Sequence, residues 1–283
     1  MPGVTARHDS PLGRWALAHA RPADLASVVD TIWSFDGYLL RRRERHFPTG
    51  WLNLVVHLGA PYRRVDERGT EPFTATCFSG QALRPYVVEA PPGATSVLGV
   101  RLRPLGAYAL LGHPLDVLTG DTVDLESLVS AAAHELGDAC AAALTPEARV
   151  RAAAGWIRRR VVHGPAPDPP VAWMVRQLGR SRGTVRVRAL HESVSWSRAR
   201  LTRAFREQVG VTPKAYARLE RFRHAMTLMT DPAATLPTIA LAAGYYDQPH
   251  LNAEFRALAG VTPGAYLHMQ RFPDSVSVPE DVA

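Results

Sequence analysis

The chain has 283 residues, long enough for two domains, and its 46% hydrophobic and 21% charged residues exclude disordered and fibrous classes. The net charge of +7 is uneven: residues 171–272 carry 15 Lys and Arg against 6 Asp and Glu, whereas residues 1–170 carry 18 against 17. No apolar run approaches the length of a membrane span, the N-terminus lacks the apolar core of a secretory signal, and two cysteines are too few for a disulfide framework, so a reduced cytoplasmic compartment is expected.

In chain order, the first 120 residues are predicted to be strand-rich. Residues 51–58 (WLNLVVHL), 83–90 (LRPYVVEA) and 95–102 (TSVLGVRL) are β-branched or aromatic runs punctuated by Gly and Pro. Residues 103–112 are predicted to form a short helix on that sheet. Residues 124–162 turn Ala- and Leu-rich, which predicts two helices broken at Leu144-Thr145-Pro146, where Thr can cap and Pro can start the second. Their apolar faces fit a dimer surface or packing within one subunit equally well. The proline-rich stretch 163–170 (HGPAPDPP) is the clearest linker. Everything after it reads as helix. The expected fold class is α+β: a β-rich domain over 1–122, a helical connector over 123–163, a basic all-α domain over 171–272 and a C-terminal tail over 273–283.

The basic region contains an internal repeat. Residues 201–216 (LTRAFREQVGVTPKAY) and 251–266 (LNAEFRALAGVTPGAY) are identical at nine of 16 positions, including Leu201/Leu251, Phe205/Phe255, Gly210/Gly260, Thr212/Thr262, Pro213/Pro263 and Tyr216/Tyr266. Each copy makes sense as one unit. Leu and Phe four apart share a buried helical face, and Gly ends the helix in a left-handed conformation. Thr and Pro then cap and begin the next helix. Upstream, a short helix and a tight turn precede Ser197 in the first copy and Asp247 in the second, each a predicted N-cap. Short helix, turn and longer helix is the helix-turn-helix pattern, whose second helix enters the DNA major groove. A plain helical bundle would use the same Leu and Phe positions, but the basic face formed by Arg198, Arg200, Arg203 and Arg206 favours DNA.

These residues are similar to the AraC/XylS family of bacterial transcription regulators, above all over 239–266 (IALAAGYYDQPHLNAEFRALAGVTPGAY) and 195–229. Two positions depart from the family pattern: Ser195, where Gly is usual, and Ala253, where Arg is frequent. The resemblance implies two helix-turn-helix motifs joined by a long helix over 213–229, reading major-groove segments one helical turn apart. Carried over by position, Arg198, Ala199, Thr202 and Arg203 of the first recognition helix would meet bases or nearby phosphates. Gln248, Pro249, His250 and Asn252 would do so in the second. Arg pairs with guanine, Gln and Asn with adenine, and Ala touches a thymine methyl. Arg200 and Arg206 are expected to contact phosphates.

The N-terminal part more loosely resembles the cupin-like effector domains that precede such modules, through Trp33 with Phe35 and residues 45–58, 78–85 and 98–112. The resemblance implies a small β-barrel that binds an effector and helps dimerise. Trp51, Gln81, Arg84 and Tyr86 are placed near the barrel mouth from their position in the strand-rich segments. No metal is expected, because the chain has no His-x-His pair and His46 and His57 lie far apart. The cluster Asp116, Asp121, Asp124 and Glu126 lacks calcium-loop spacing and reads as a solvated face. Arg41-Arg42-Arg43 reads as an exposed loop.

The expected function is sequence-specific binding of double-stranded promoter DNA by a transcription regulator, modulated by a small-molecule effector in the N-terminal domain. RNA polymerase contact and a homodimer are further candidate partners. No catalytic residue, cofactor or membrane contact is expected. Two alternatives stand beside this: an architectural DNA binder without an effector, and a DNA-repair-type enzyme fused to the same module. The enzyme would need a reactive cysteine, whereas Cys77 in a strand and Cys140 in an Ala-rich helix, with no flanking His, read as inert.

Overall fold

The computed structural model describes residues 4–11, 13–40, 42–66, 69–269 and 278–279. Arg41, residues 270–272 at the end of the basic domain, and most of the 273–283 tail lie outside the described residues.

The strands come first: β1 (Val4–Ser10), β2 (Gly13–Ala20), β3 (Val29–Leu39), β4 (Arg43–His46), β5 (Leu52–His57), β6 (Arg63–Asp66), β7 (Gly69–Pro72), β8 (Thr76–Ser79), β9 (Tyr86–Glu89) and β10 (Thr95–Leu102). Helix α1 (Pro104–Leu111), strand β11 (Thr122–Asp124) and helices α2 (Glu126–Val129), α3 (Ala131–Ala142) and α4 (Pro146–Val161) follow. The rest is helical: α5 (Pro169–Arg180), α6 (Val187–Glu192), α7 (Arg198–Val209), α8 (Pro213–Leu228), α9 (Leu236–Ala242), α10 (Gln248–Ala259) and α11 (Pro263–His268). A last strand, β12 (Val278–Pro279), pairs with β4, so this part of the tail returns to the β-domain.

The strands form two antiparallel sheets, one ordered β1-β2-β3-β10-β5-β8-β11 and the other β12-β4-β9-β6-β7. Period-two alternation assigns the faces of the larger sheet. Leu98, Val100 and Leu102 of β10, with Leu52, Leu54 and Val56 of β5, pack against the helices in one buried cluster. Their alternates Val97, Gly99, Arg101, Asn53, Val55 and His57 face the other way, into a cavity between the sheets. The sequence pattern picks out β5, β9 and β10 but no individual strand within the first 40 residues, where β1, β2 and β3 supply three of the seven strands of the larger sheet. Those strands mix Ala, His, Ser and Asp into their alternation, which weakens the β-branched signature.

The predicted break at Leu144–Pro146 is present, with the Thr145 hydroxyl accepting the Ala148 N–H at 3.2 Å. Trp156 of α4 is fully buried, and its indole N–H donates to Ala132 O at 2.8 Å. Together α3 and α4 complete the β-domain core, with α4 across β2, β3 and β10. Their apolar faces are therefore used within one chain.

Helices α5–α7 and the start of α8 enclose a core around Val171, Met174, Leu201, Phe205 and Tyr216. The rest of α8 with α9–α11 encloses a second, around Phe222, Ile239, Leu251, Phe255 and Tyr266. Helix α8 serves both. The β-domain enters each core as well: Leu105 of α1 packs on the first, and Phe47 is buried in the second, edge-on to Tyr266 with ring centroids 5.5 Å apart.

Candidate nucleic-acid interface and effector cavity

The repeat seen in the sequence is a repeat in geometry. Ser197 Oγ accepts the Arg200 N–H at 3.3 Å to start α7, and Asp247 Oδ1 accepts the His250 N–H at 2.8 Å to start α10. Gly210 (φ +93°) and Gly260 (φ +72°) end these helices in the left-handed region that only Gly occupies without cost. Thr212 and Thr262 then cap the following helices, each accepting an N–H three residues on at 3.2 Å. The Tyr of each copy packs back on its Phe, with centroids 5.9 Å apart for Phe205–Tyr216 and 5.4 Å for Phe255–Tyr266.

Burying Leu201, Ala204, Phe205, Gln208 and Val209 leaves the opposite stripe of α7 to solvent. Arg198, Ala199, Thr202, Arg203 and Arg206 line one shallow concavity, together with Asp116 from the β-domain. Arg203 is 76% exposed and leans 3.8 Å from Glu207. Arg200 lies off this stripe: its guanidinium stacks on the Trp196 ring at 3.9 Å, which pre-orders it at the flank. On α10, Pro249 and His250 are exposed while Gln248 and Asn252 are half-buried. His250 Nδ1 accepts the Tyr246 N–H at 3.3 Å, leaving the ring proton on Nε2 as a donor at the exposed end. Arg218 of α8 donates to Glu254 at 2.6 Å and fixes α10 on the connecting helix.

Asp116 is a correction to the solvated-face reading of its cluster. Its side chain is 23% exposed and its carboxylate lies 3.6 Å from the Arg206 guanidinium. Asp124 has a local role, accepting the Glu126 N–H at 2.9 Å.

The cavity between the sheets measures about 240 Å³, against the ~150 Å³ that suffices for benzene. Aromatic rings dominate its wall: Trp15, Trp33, Phe35, Trp51, Tyr62, Phe73 and Tyr86. At the polar end sit Arg101, Glu44 and His46, whose ring stacks on Tyr86 at 5.2 Å. Burial, reinforced by the Arg101 charge, brings His46 down to about 4, so the imidazole is neutral at neutral pH. Burial pushes the Tyr86 phenol up to about 12. Asp30 holds Arg101 from behind at 3.5 Å.

Of the four residues placed at the barrel mouth, Trp51 and Tyr86 line this cavity, and Gln81 and Arg84 do not. Gln81 is fully buried and points away, its amide donating to Val209 O at 2.9 Å, and Arg84 is exposed. The neighbours Gly80 and Ala82 are cavity wall. Sequence reasoning missed Trp15, Arg101 and His46, whose shared place depends on strand pairing across the chain. Cys77 is also cavity wall, and burial pushes its thiol up to about 12 and that of Cys140 up to about 11, far from a nucleophilic thiolate.

Trp33 owes its position to Gly99, its register partner across β3 and β10. A Cβ on Gly99 would meet the Trp33 indole at 2.2 Å. Gly99→Val is expected to drive that ring off its site at a cost of about 1–3 kcal/mol by urea denaturation. An unchanged midpoint would mean that Trp33 does not lie over Gly99.

A two-sheet domain enclosing a cavity, followed by two helix-turn-helix units on one shared helix, defines a two-domain DNA-binding protein. Residues 190–269 match the helix-turn-helix domain family, while residues 19–124 match a domain of unknown function (DUF6597). No curated protein matches the chain. Solved structures similar to it include ToxT from Vibrio cholerae O395, at 14% identity and TM-score 0.46 over 83% of this chain and 96% of that one. Another is unsaturated fatty acid bound wild-type ToxT from Vibrio cholerae strain SCE256, at 14% identity and TM-score 0.45 over 85% and 94%. The DNA-binding domain of AdpA, a global transcriptional factor solved in complex with a target DNA, is similar over 35% of this chain and 91% of that one, at 24% identity and TM-score 0.33. Among the described residues no helix is long and apolar enough to cross a membrane.

Proposed function

We propose that this protein is a sequence-specific transcription regulator that acts in the cytoplasm and takes a small-molecule effector into its β-domain cavity. The observation that carries the DNA reading is the repeated unit with its two outward polar helix faces, on a domain holding 15 basic against 6 acidic residues over 171–272. Arg198 and Arg203 supply guanine-reading forks on α7, and the His250 Nε2 donor with Gln248 and Asn252 supplies the α10 contacts. The effector half rests on the aromatic cavity, whose polar end suits an apolar, flat molecule with one hydrogen-bonding terminus. RNA polymerase and a second copy of the chain are further partners in this reading, and no side chain is given a catalytic role.

Selecting sites from random duplexes tests it. The expected result is two conserved blocks about one helical turn apart. Arg203→Ala or Arg198→Ala then loses roughly 1–3 kcal/mol of discrimination at one base pair of the first block. An unchanged site preference in both variants would overturn the placement of α7 in the groove. Tight binding with no motif and a steep salt dependence would favour the architectural alternative.

A further inference from the structure

The last carbonyls of a helix have no partner within it and must find donors elsewhere. At the end of α7 those donors come from the β-domain. The Leu115 N–H donates to Glu207 O at 2.7 Å, the Gln81 amide to Val209 O at 2.9 Å and the Thr119 hydroxyl to Gly210 O at 2.5 Å. The two segments that supply them are locked together, with the Gly80 N–H donating to Asp121 O at 3.0 Å and the Gly120 N–H to Gln81 O at 2.9 Å. A Cβ on Gly80 would lie 1.8 Å from Leu118 O, so nothing larger than Gly fits between them. This clamp sets Asp116 on the groove-facing stripe of α7, 3.6 Å from Arg206.

We propose that the clamp is an autoinhibitory contact: Asp116 occupies Arg206 in place of a DNA phosphate and places a carboxylate where the backbone of a bound duplex would run. The inference rests on the DNA-binding reading above. It has a physical consequence beyond it, because the β-domain then sets the affinity of the first recognition helix. Gly80 and Ala82 flank Gln81 and are also cavity wall, so the clamp and whatever fills the cavity share one segment.

The test measures affinity and its salt dependence for the full chain on one duplex, comparing wild type, Asp116→Asn, Arg206→Ala and the double variant. Asp116→Asn is expected to bind about three- to tenfold more tightly at low salt, since a half-buried ion pair is released and a repulsion removed. The plot of log affinity against log salt should steepen by about one unit as Arg206 gains a phosphate. In the Arg206→Ala background the gain in affinity should fall by more than half and the slope should not change. Asp116→Asn binding no more tightly than wild type would overturn the proposal, as would a gain of equal size with Arg206 absent. If neither wild type nor any variant binds duplex, the DNA-binding reading itself falls. Urea midpoints for all four proteins separate a change in binding from a change in folding.

Discussion

Phe255→Ala is expected to destabilise the second helix-turn-helix unit by about 3–5 kcal/mol and to erase one of the two blocks from a selected DNA site. Phe255 is fully buried, with its ring 4.9 Å from Phe222 of α8 and 5.4 Å from Tyr266 of α11. It therefore joins the recognition helix to both helices that hold it, and truncation leaves a void where three aromatic rings met. Because the two units have separate cores that share α8, the damage should stay local. Hydrogen exchange should rise in α9–α11 while the β-sheets keep their protection, and binding should retain the first block alone. The seat of Phe47 would loosen too, since that ring packs edge-on to Tyr266. A stability change below about 1 kcal/mol would mean that Phe255 is not the keystone its contacts make it.

The helix-turn-helix region was legible in the sequence because its determinants are local. Ser197, Asp247, Thr212 and Thr262 cap the helices that follow them within three residues, and Gly210 and Gly260 stop helices at their own positions. Spacing alone therefore gives each element and its buried face. The duplication adds a second instance against which the first can be checked. In the β-domain, Trp51 and Tyr86 were legible as cavity residues from their strand-rich setting. Gln81 was not, since its partner Val209 stands 128 residues away and nothing near it in sequence announces that bond. The same holds for Asp116, whose neighbours Asp121 and Asp124 suggest a solvated acidic face while its own carboxylate meets Arg206. Trp51 shows both sides of the matter: its ring lines the cavity, and Arg223 of α8 lies over it at 4.5 Å. One residue thus belongs to the effector cavity and to the contact with the connecting helix, a pairing that only the fold reveals.

Acidification should destabilise the β-domain well before its carboxylates are protonated, and His46 sets the range. Its folded value of about 4 lies below the usual histidine value of 6.5. Between these two pH values the unfolded chain binds a proton at this site that the native state refuses. Stability contributed by the neutral ring is therefore complete above about pH 6.5, falls as pH drops, and is fully lost below about pH 4. The integrated loss is about 3 kcal/mol. His57, also lowered by burial, acts in the same direction despite accepting help from the Thr74 carbonyl 3.1 Å from Nδ1. Around His46 stand Arg101, which opposes a second positive charge, the Tyr86 ring, and Glu44, whose carboxylate at 3.5 Å from Nε2 is too distant for a strong bond to a proton there. Urea denaturation followed at pH 7, 6, 5 and 4.5 should show the slope, and His46→Gln should flatten most of it, because the amide does not titrate. Parallel pH profiles for wild type and His46→Gln would show that the imidazole is hydrated in the native cavity rather than held neutral by its walls.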